Sequence, residues 1–253
     1  MKSIFVDNFL KENFLPVFSS FLFFILLSQI FNCFTAGGFH SSSKKRKLNQ
    51  ATVSLMFSLL SSCLTLFTIT KDHSILNDPL KKVGSIPEIA NKIRVGFYTY
   101  QIFSSTINRT FSMDMLFQNC IYLIFYSYCL KFGKFSAVST VVSLKDINFL
   151  FYHGRQIQIL NMKSMSDSEF RLFSYLTVMT FSISFTTSMW IYSFHFGLNG
   201  QISNIVDKYF FLIFSVFTFI SNLFLFTKVC CSDVFQINIL SSKKVKVAKT
   251  KSQ

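Results

Sequence analysis

Residues 14–34 read Phe-Leu-Pro-Val-Phe-Ser-Ser-Phe-Leu-Phe-Phe-Ile-Leu-Leu-Ser-Gln-Ile-Phe-Asn-Cys-Phe, and no Asp, Glu, Lys or Arg occurs from Phe14 to Ser43. A helix of about 20 apolar residues covers the hydrocarbon thickness of a bilayer. Directly after it come Lys44, Lys45, Arg46 and Lys47, and a basic loop beside a span tends to stay on the cytoplasmic side. Further runs of the same character follow. The chain is therefore predicted to be all-α, a polytopic transmembrane helical bundle.

Working outward, strong spans are expected at Phe14–Thr35, Val53–Thr70, Leu172–Phe196 and Tyr209–Thr227, with a shorter one at Leu116–Leu130. Two more segments are ambiguous: Ile93–Ile107, which contains Arg94, and Phe135–Tyr152, which carries Lys145 and Asp146. With all seven crossing, loop 44–47 and the lysine tail after Cys231 fall on the same side, so the basic residues Lys44, Lys45, Arg46, Lys47, Lys243 and Lys244 set a cytoplasmic C-terminus. A five-span form with both ambiguous segments re-entrant keeps that parity. The expected organisation is an N-terminal span and the start of the basic loop (1–44), a transmembrane domain (45–235) and a basic tail (236–253). Lys71–Lys92, with Pro79 and Pro87, is expected to be an external loop. The first run could also be a cleavable signal ending at Ala36-Gly37-Gly38, but its apolar core is longer than signals use.

Of the 253 residues, 51% are hydrophobic and 14% charged, where soluble domains have about 25% charged. The 35 phenylalanines fit an AT-rich coding bias and carry no functional argument. The net charge of +14 could suggest nucleic acid, yet much of it sits beside spans, where lysines orient the chain and meet anionic lipid heads. Nucleic acid is not an expected partner; membrane lipids are. The six cysteines show no CxxC or Cys/His metal spacing. Cys33, Cys63, Cys120 and Cys129 read as small core hydrophobes. Cys230 and Cys231, just past the last span, are candidate palmitoylation sites, with unmodified thiols the alternative.

Three consecutive spans carry polar residues three and four apart, a spacing that returns a side chain to the same helical face. They are Ser54, Ser58, Ser61, Thr65 and Thr68; then Arg94, Gln101, Ser104, Ser105 and Asn108; then Gln118, Asn119, Tyr122 and Tyr126. Lipid cannot satisfy these groups, so they should face one another or an internal cavity. Two readings fit: small polar residues that join helices, or a lined cavity, for which Ser54, Ser58, Gln101, Ser105, Gln118, Asn119 and Tyr122 are the candidates. Asp146 and His153 share a face two turns apart, roughly 10 Å, too far for a direct pair. Lys145, adjacent to Asp146, is expected to point away from it and snorkel.

Catalytic chemistry is scarce. The histidines at 40, 73, 153 and 195 form no H-x-x-H or His-His arrangement, and there is no Gly-rich phosphate loop or G-x-S-x-G elbow. His73 beside Asp72 reads as a solvated pair, and His195 near Trp190 and Tyr192 as interfacial. The sequon Asn108-Arg109-Thr110 falls on the cytoplasmic side or too close to the membrane for glycosylation. No cofactor or metal is expected.

Several local patterns nevertheless line up in order. Val53-Ser54-Leu55-Met56-Phe57-Ser58-Leu59-Leu60-Ser61 resembles the V-S-x-x-H-S-x-L-S stretch of TLC-domain membrane proteins, with Phe57 where the family often has His. Gly96-Phe97-Tyr98-Thr99-Tyr100-Gln101 is similar to that family's G-Y-F-x-x-D, with Gln101 replacing the acid. Met115-Leu116-Phe117-Gln118-Asn119 falls where an apolar pair precedes His-His, and Val142–Arg155 where a glutamate-bearing helix is usual. The ending Thr227–Asp233 with its lysine tail resembles the calfacilitin-like, membrane-fluidity-regulating branch. The resemblance implies a barrel-like bundle of about six helices around a narrow cavity, plus one N-terminal span. It also implies a role in limiting polyunsaturated acyl chains in phospholipids, mainly at the plasma membrane rather than the endoplasmic reticulum, with lipid-modifying enzymes as further partners. The ceramide-synthase branch of the family implies the alternative, acyl transfer from acyl-CoA. Gln118 and Asn119 have no titratable proton near neutral pH and cannot replace its paired histidines as bases, so the expectation is a non-catalytic protein. A small-solute channel or transporter is the third class, with only Lys145-Asp146 near the charged mid-span site it usually needs.

Overall fold

A computed structural model describes residues 2–34, 42–78, 83–108, 113–133, 135–160, 167–197 and 205–251, which are nearly all helical, with no strand among them. A backbone surrounded by apolar material must pair its own N–H and C=O groups, and helices do this locally. The helices are α1 (Lys2–Phe34), α2 (Ser42–Lys71), α3 (Ser85–Asn108), α4 (Met113–Phe132), α5 (Ser136–Val142), α6 (Lys145–Leu160), α7 (Asp167–Gly197) and α8 (Ile205–Lys251). A 3-10 turn at His73–Leu76 follows α2; the Asp72 carboxylate caps it, accepting from the Ser74 N–H at 3.2 Å and hydroxyl at 2.7 Å. Among the described residues, Glu12–Phe34, Ser42–Lys71 and Ile205–Ser232 are long and apolar enough to cross a membrane.

Helix contacts run in a closed ring, α2 to α6, α7, α8, α4, α3 and back to α2, while α1 packs on α3 and α2 beside it. The contacts that close the ring are aromatic and polar together. Phe125 of α4 stacks on Phe214 of α8 at 3.9 Å between centroids, and Tyr128 donates a hydrogen bond to Asp207. Asn148 of α6 donates to the Thr177 carbonyl of α7 at 3.1 Å, and Ser215 of α8 to the Ser188 carbonyl at 3.0 Å. On α1, Phe24 is buried among Phe57, Phe97 and Tyr100, and Ser28 accepts from Asn49 at 2.9 Å. Gly133, at φ +63°, ends α4 in the left-handed region with its N–H on the Cys129 carbonyl at 3.0 Å.

The interior and surface are the reverse of a soluble domain. Phe23, Leu26 and Ile30 on α1, Leu59 and Phe67 on α2, and Ile220 and Phe224 on α8 are exposed, whereas Arg94, Lys145, Asp146, Asn148 and Arg155 are buried. Water would leave such a surface aggregation-prone, and lipid solvates it. The chain has the make-up of a membrane protein.

Four expectations are corrected. Phe135–Tyr152 is not one segment: α5 and α6 are separated at Ser143-Leu144, where Leu144 N–H reaches the Val141 carbonyl at 3.0 Å and Asp146 N–H the Ser143 carbonyl at 3.0 Å. The Ser143 hydroxyl adds a bond to the Ser139 carbonyl at 2.6 Å, and such side-chain competition for backbone groups favours a break. Lys44–Lys47 form no loop but the first turns of α2, carried into helix by the burial of Leu48, Asn49 and Ala51 just beyond. The interruption at Lys71–Lys92 is shorter than expected, since α3 begins at Ser85 with Pro87 in its first turn, where its missing N–H costs nothing, and a Glu88–Lys92 ion pair at 2.7 Å. Cys33 and Cys63 are exposed rather than core, on helix faces turned away from the bundle; Cys129 is buried and Cys120 partly so.

Cys230 is partly buried and Cys231 exposed on α8. Helix α2 begins before residue 45 and α8 continues past 235, so neither expected domain boundary coincides with a helix end. The stretch Ala36-Gly37-Gly38, His40, Pro79, Arg109-Thr110 of the sequon and the side chains of His195, Lys243 and Lys244 lie outside the described residues.

Candidate functional site

The polar stripe of α2 supplies one wall of the site. Ser54, Ser58, Ser61, Thr65 and Thr68 are all buried, as a repeat of three and four places them on one side of a helix. Facing them, α3 contributes Asn91, Arg94, Tyr98 and Gln101, α4 Tyr122 and Tyr126, and α6 Lys145 and Asp146, all buried.

At its inner end the site holds an ion cluster. The Ser61 hydroxyl donates to Asp146 Oδ2 at 2.5 Å and accepts from Arg94 Nε at 3.0 Å, so it bridges the guanidinium and a carboxylate oxygen 3.8 Å from Nε. Arg94 Nη1 donates to Asn91 Oδ1 at 3.1 Å and Nη2 to Thr65 Oγ1 at 2.9 Å. Asn91 is in turn held by its amide donating to Ser139 of α5 at 2.8 Å. The Lys145 ammonium donates to Asp146 Oδ1 and to the Tyr98 hydroxyl, each at 2.8 Å, and lies 3.6 Å from the centroid of the Tyr122 ring. The Arg94 guanidinium faces the Tyr126 ring at 5.4 Å. Two cations thus share one carboxylate, and aromatic faces supply further negative potential. The inward Lys145 is a correction. The α5–α6 break puts Lys145-Asp146 in the first turn of α6, and the long lysine stem folds back to its neighbour instead of reaching for the membrane surface. A helix N-terminus also favours a carboxylate there.

Towards one end of the bundle the polar interior widens into a cavity of about 340 Å³ between α2, α3, α4, α6 and α8. Its lining includes the N-terminal part of α2, the C-terminal parts of α3 and α6, and the start of α4. Ser54, Gln101, Ser105 and Asn119 line it, together with Gln50, His153, Gln156 and the cations Lys47, Arg155 and Lys228. A constriction of about 20 Å³ continues inward past Ser58, Gln118 and Tyr122 to Asp146, sharing Ser54, Gln101, Asn119 and His153 with the wider part. All seven residues singled out from the stripes therefore stand at these two connected spaces. They also join helices. Gln50 donates to Gln101 Oε1 at 2.9 Å and to Ser105 at 2.5 Å, and Gln101 donates to Ser54 at 2.7 Å. The same side chains glue α2 to α3 and coat the cavity, so the two readings of the stripe are not exclusive.

Asp146 and His153 are not bonded to each other; His153 Nδ1 lies 3.1 Å from Gln156 Oε1. Gln50, Arg155 and Lys228 were not among the candidates. Gln50 could have been found four residues before Ser54, on the same face. Arg155 and Lys228 carry no local signal, since their place depends on how α6 and α8 pack. No group of three His, Cys, Asp or Glu side chains that could hold a metal converges among the described residues. Amides and hydroxyls can bind carbonyl or headgroup oxygens without exchanging protons, and the lining is rich in them.

No protein-family model matches the chain, and no curated protein matches it significantly.

Proposed function

We propose that this chain is a polytopic protein of six or seven crossings that binds a membrane lipid in the polar cavity and adjusts phospholipid acyl composition without itself catalysing acyl transfer. The observation that carries this reading is the cavity lining: amides, hydroxyls and cations alongside Ala51, Met115, Ile159, Leu160 and Val229, with one imidazole beside an amide. An acyl transferase needs a base poised to take a proton from its acceptor. Gln118 and Asn119, where the resembling enzymes keep paired histidines, cannot serve. The basic start of α2 and the lysines after Cys231 are read as cytoplasmic, which gives the cavity a cytoplasmic mouth. Through the TLC-like resemblance the plasma membrane is the favoured location, and lipid-modifying enzymes are the partners through which composition changes.

The acyltransferase reading stays alive through one feature: His153 lines both the cavity and its constriction. The assay that separates the two uses purified protein in detergent with long-chain acyl-CoA and sphingoid or lysophospholipid acceptors. No turnover is expected. Steady turnover abolished by His153→Ala, with folding retained, would replace this proposal with an enzyme.

A further inference from the structure

Helices α4 and α8 bring three polar groups together without joining them. Gln118 and Tyr122, one turn apart on α4, are 2% and 1% exposed, and Thr218 of α8 is buried too. Gln118 and Thr218 both lie beside the Tyr122 hydroxyl. Yet Gln118 Nε2, the Tyr122 hydroxyl and Thr218 Oγ1 make no hydrogen bond of normal geometry. A buried polar group left without a partner forfeits its hydration for nothing, and inside a membrane bundle lipid offers no replacement. Neighbouring polar groups that do not bond directly are commonly bridged by a small oxygen between them. The space for one is present. Gln118 and Tyr122 both line the constriction leading inward from the wide cavity, and its volume is about 20 Å³, where one water needs about 10–15 Å³. That leaves no room for the several atoms of a phosphate. Asp146 is the acid on its wall, its oxygens already taken by Ser61 and Lys145, so an entering anion is repelled and a neutral group is not. Phe57, Phe97 and Phe149 complete the walls, which suits carbon attached to the entering oxygen.

We propose that the constriction is a binding site for one neutral oxygen, which accepts from Gln118 Nε2 and bonds the Tyr122 hydroxyl. The oxygen is that of water or the hydroxyl end of a lipid alcohol whose chain lies in the wider cavity. The alcohol source rests on the proposed lipid-binding role of the cavity; the oxygen site does not.

Scintillation-proximity binding of tritiated 1-decanol to the full chain in neutral detergent, competed by unlabelled 1-decanol and by decane, forms the alcohol arm. 1-Decanol is expected to compete at least about tenfold better than decane, as pairing a buried donor implies. Micelles take up each competitor alike whichever variant is present, so a change in that ratio reads the site. Tyr122→Phe and Gln118→Leu, each checked for folding by size exclusion, should both bring the ratio towards one. Thermal unfolding without ligand forms the water arm. Tyr122→Phe should lower the midpoint by about 2–4 °C through loss of a bridged bond. Tyr100→Phe should not, since it removes a buried hydroxyl that also lacks a partner but does not line the constriction. A lowered midpoint without any 1-decanol preference supports a water site and ends the alcohol reading. Loss of the preference in both variants without a fall in midpoint supports the alcohol. Equal competition by 1-decanol and decane, with Tyr122→Phe no worse than Tyr100→Phe, overturns the oxygen site while leaving a lipid cavity standing. Failure of both probes to bind, with the same midpoints, overturns the site and the lipid cavity alike. A preference that both variants leave unchanged overturns the inference whatever the midpoints.

Discussion

Asp146→Asn is expected to destabilise the folded protein by about 3–5 kcal/mol, the usual cost of breaking a buried ion pair from one side. Asparagine keeps the shape, but its single oxygen can replace only one of the two that accept from Ser61 and Lys145. It cannot balance Arg94 and Lys145, which are buried at 2% and 1% exposure and share this one carboxylate. In so buried a place their repulsion is poorly screened. Thermal unfolding of the purified protein in detergent, read alongside its monodisperse fraction on size exclusion, measures the loss. Lys145→Met should be milder, because it leaves one cation and one anion bridged by Ser61, and it should recover part of the loss when added to Asp146→Asn. If Asp146→Asn costs no more than a typical surface change, about 0.5 kcal/mol, the cluster is not held by charge.

The second large effect is steric. A Cβ on Gly96 would stand 2.6 Å from both Cβ and Oγ of Ser20 and 2.8 Å from the Val17 carbonyl oxygen. One of those is backbone, so no rotamer change relieves the clash. Gly96→Leu should push α1 from α3, lose the Ser20 hydroxyl's bond to the Ile93 carbonyl at 3.2 Å and unseat Phe24 from Phe97, whose rings lie 5.1 Å apart. Overpacking of this kind costs about 1–3 kcal/mol, occasionally more. Gly84→Ala is the control, since a Cβ there would meet no atom within 4 Å. A lower unfolding midpoint for Gly96→Leu with Gly84→Ala unchanged is the expected pair of results; equal tolerance of both would mean α1 is not docked through Gly96.

What the sequence disclosed follows from the range of each signal. The α2 stripe was legible because its period is local: Ser54, Ser58, Ser61, Thr65 and Thr68 need only a helix to share a face. Gln101, Gln118 and Asn119 stood out because amides are rare in apolar runs. The break before Lys145 was not legible, since Ser136 to Leu144 reads as one small apolar segment and its hydrogen bonds emerge only on folding. Lys145 pointed the wrong way on paper because its second partner, Tyr98, is 47 residues away, and Asp146 meets Ser61 across 85. Cys33 and Cys63 show the converse limit. Both lie in apolar runs, but hydropathy cannot distinguish a face turned to lipid from one turned to the core, because the two are equally apolar.

Untargeted lipidomics of cells with and without the protein, at two growth temperatures, bears most directly on a lipid-binding, non-catalytic role. Phospholipid acyl distributions should shift on removal, more at the lower temperature, with every lipid class still present. Disappearance of a single lipid product, with acyl distributions elsewhere unchanged, would contradict that role and identify an enzyme.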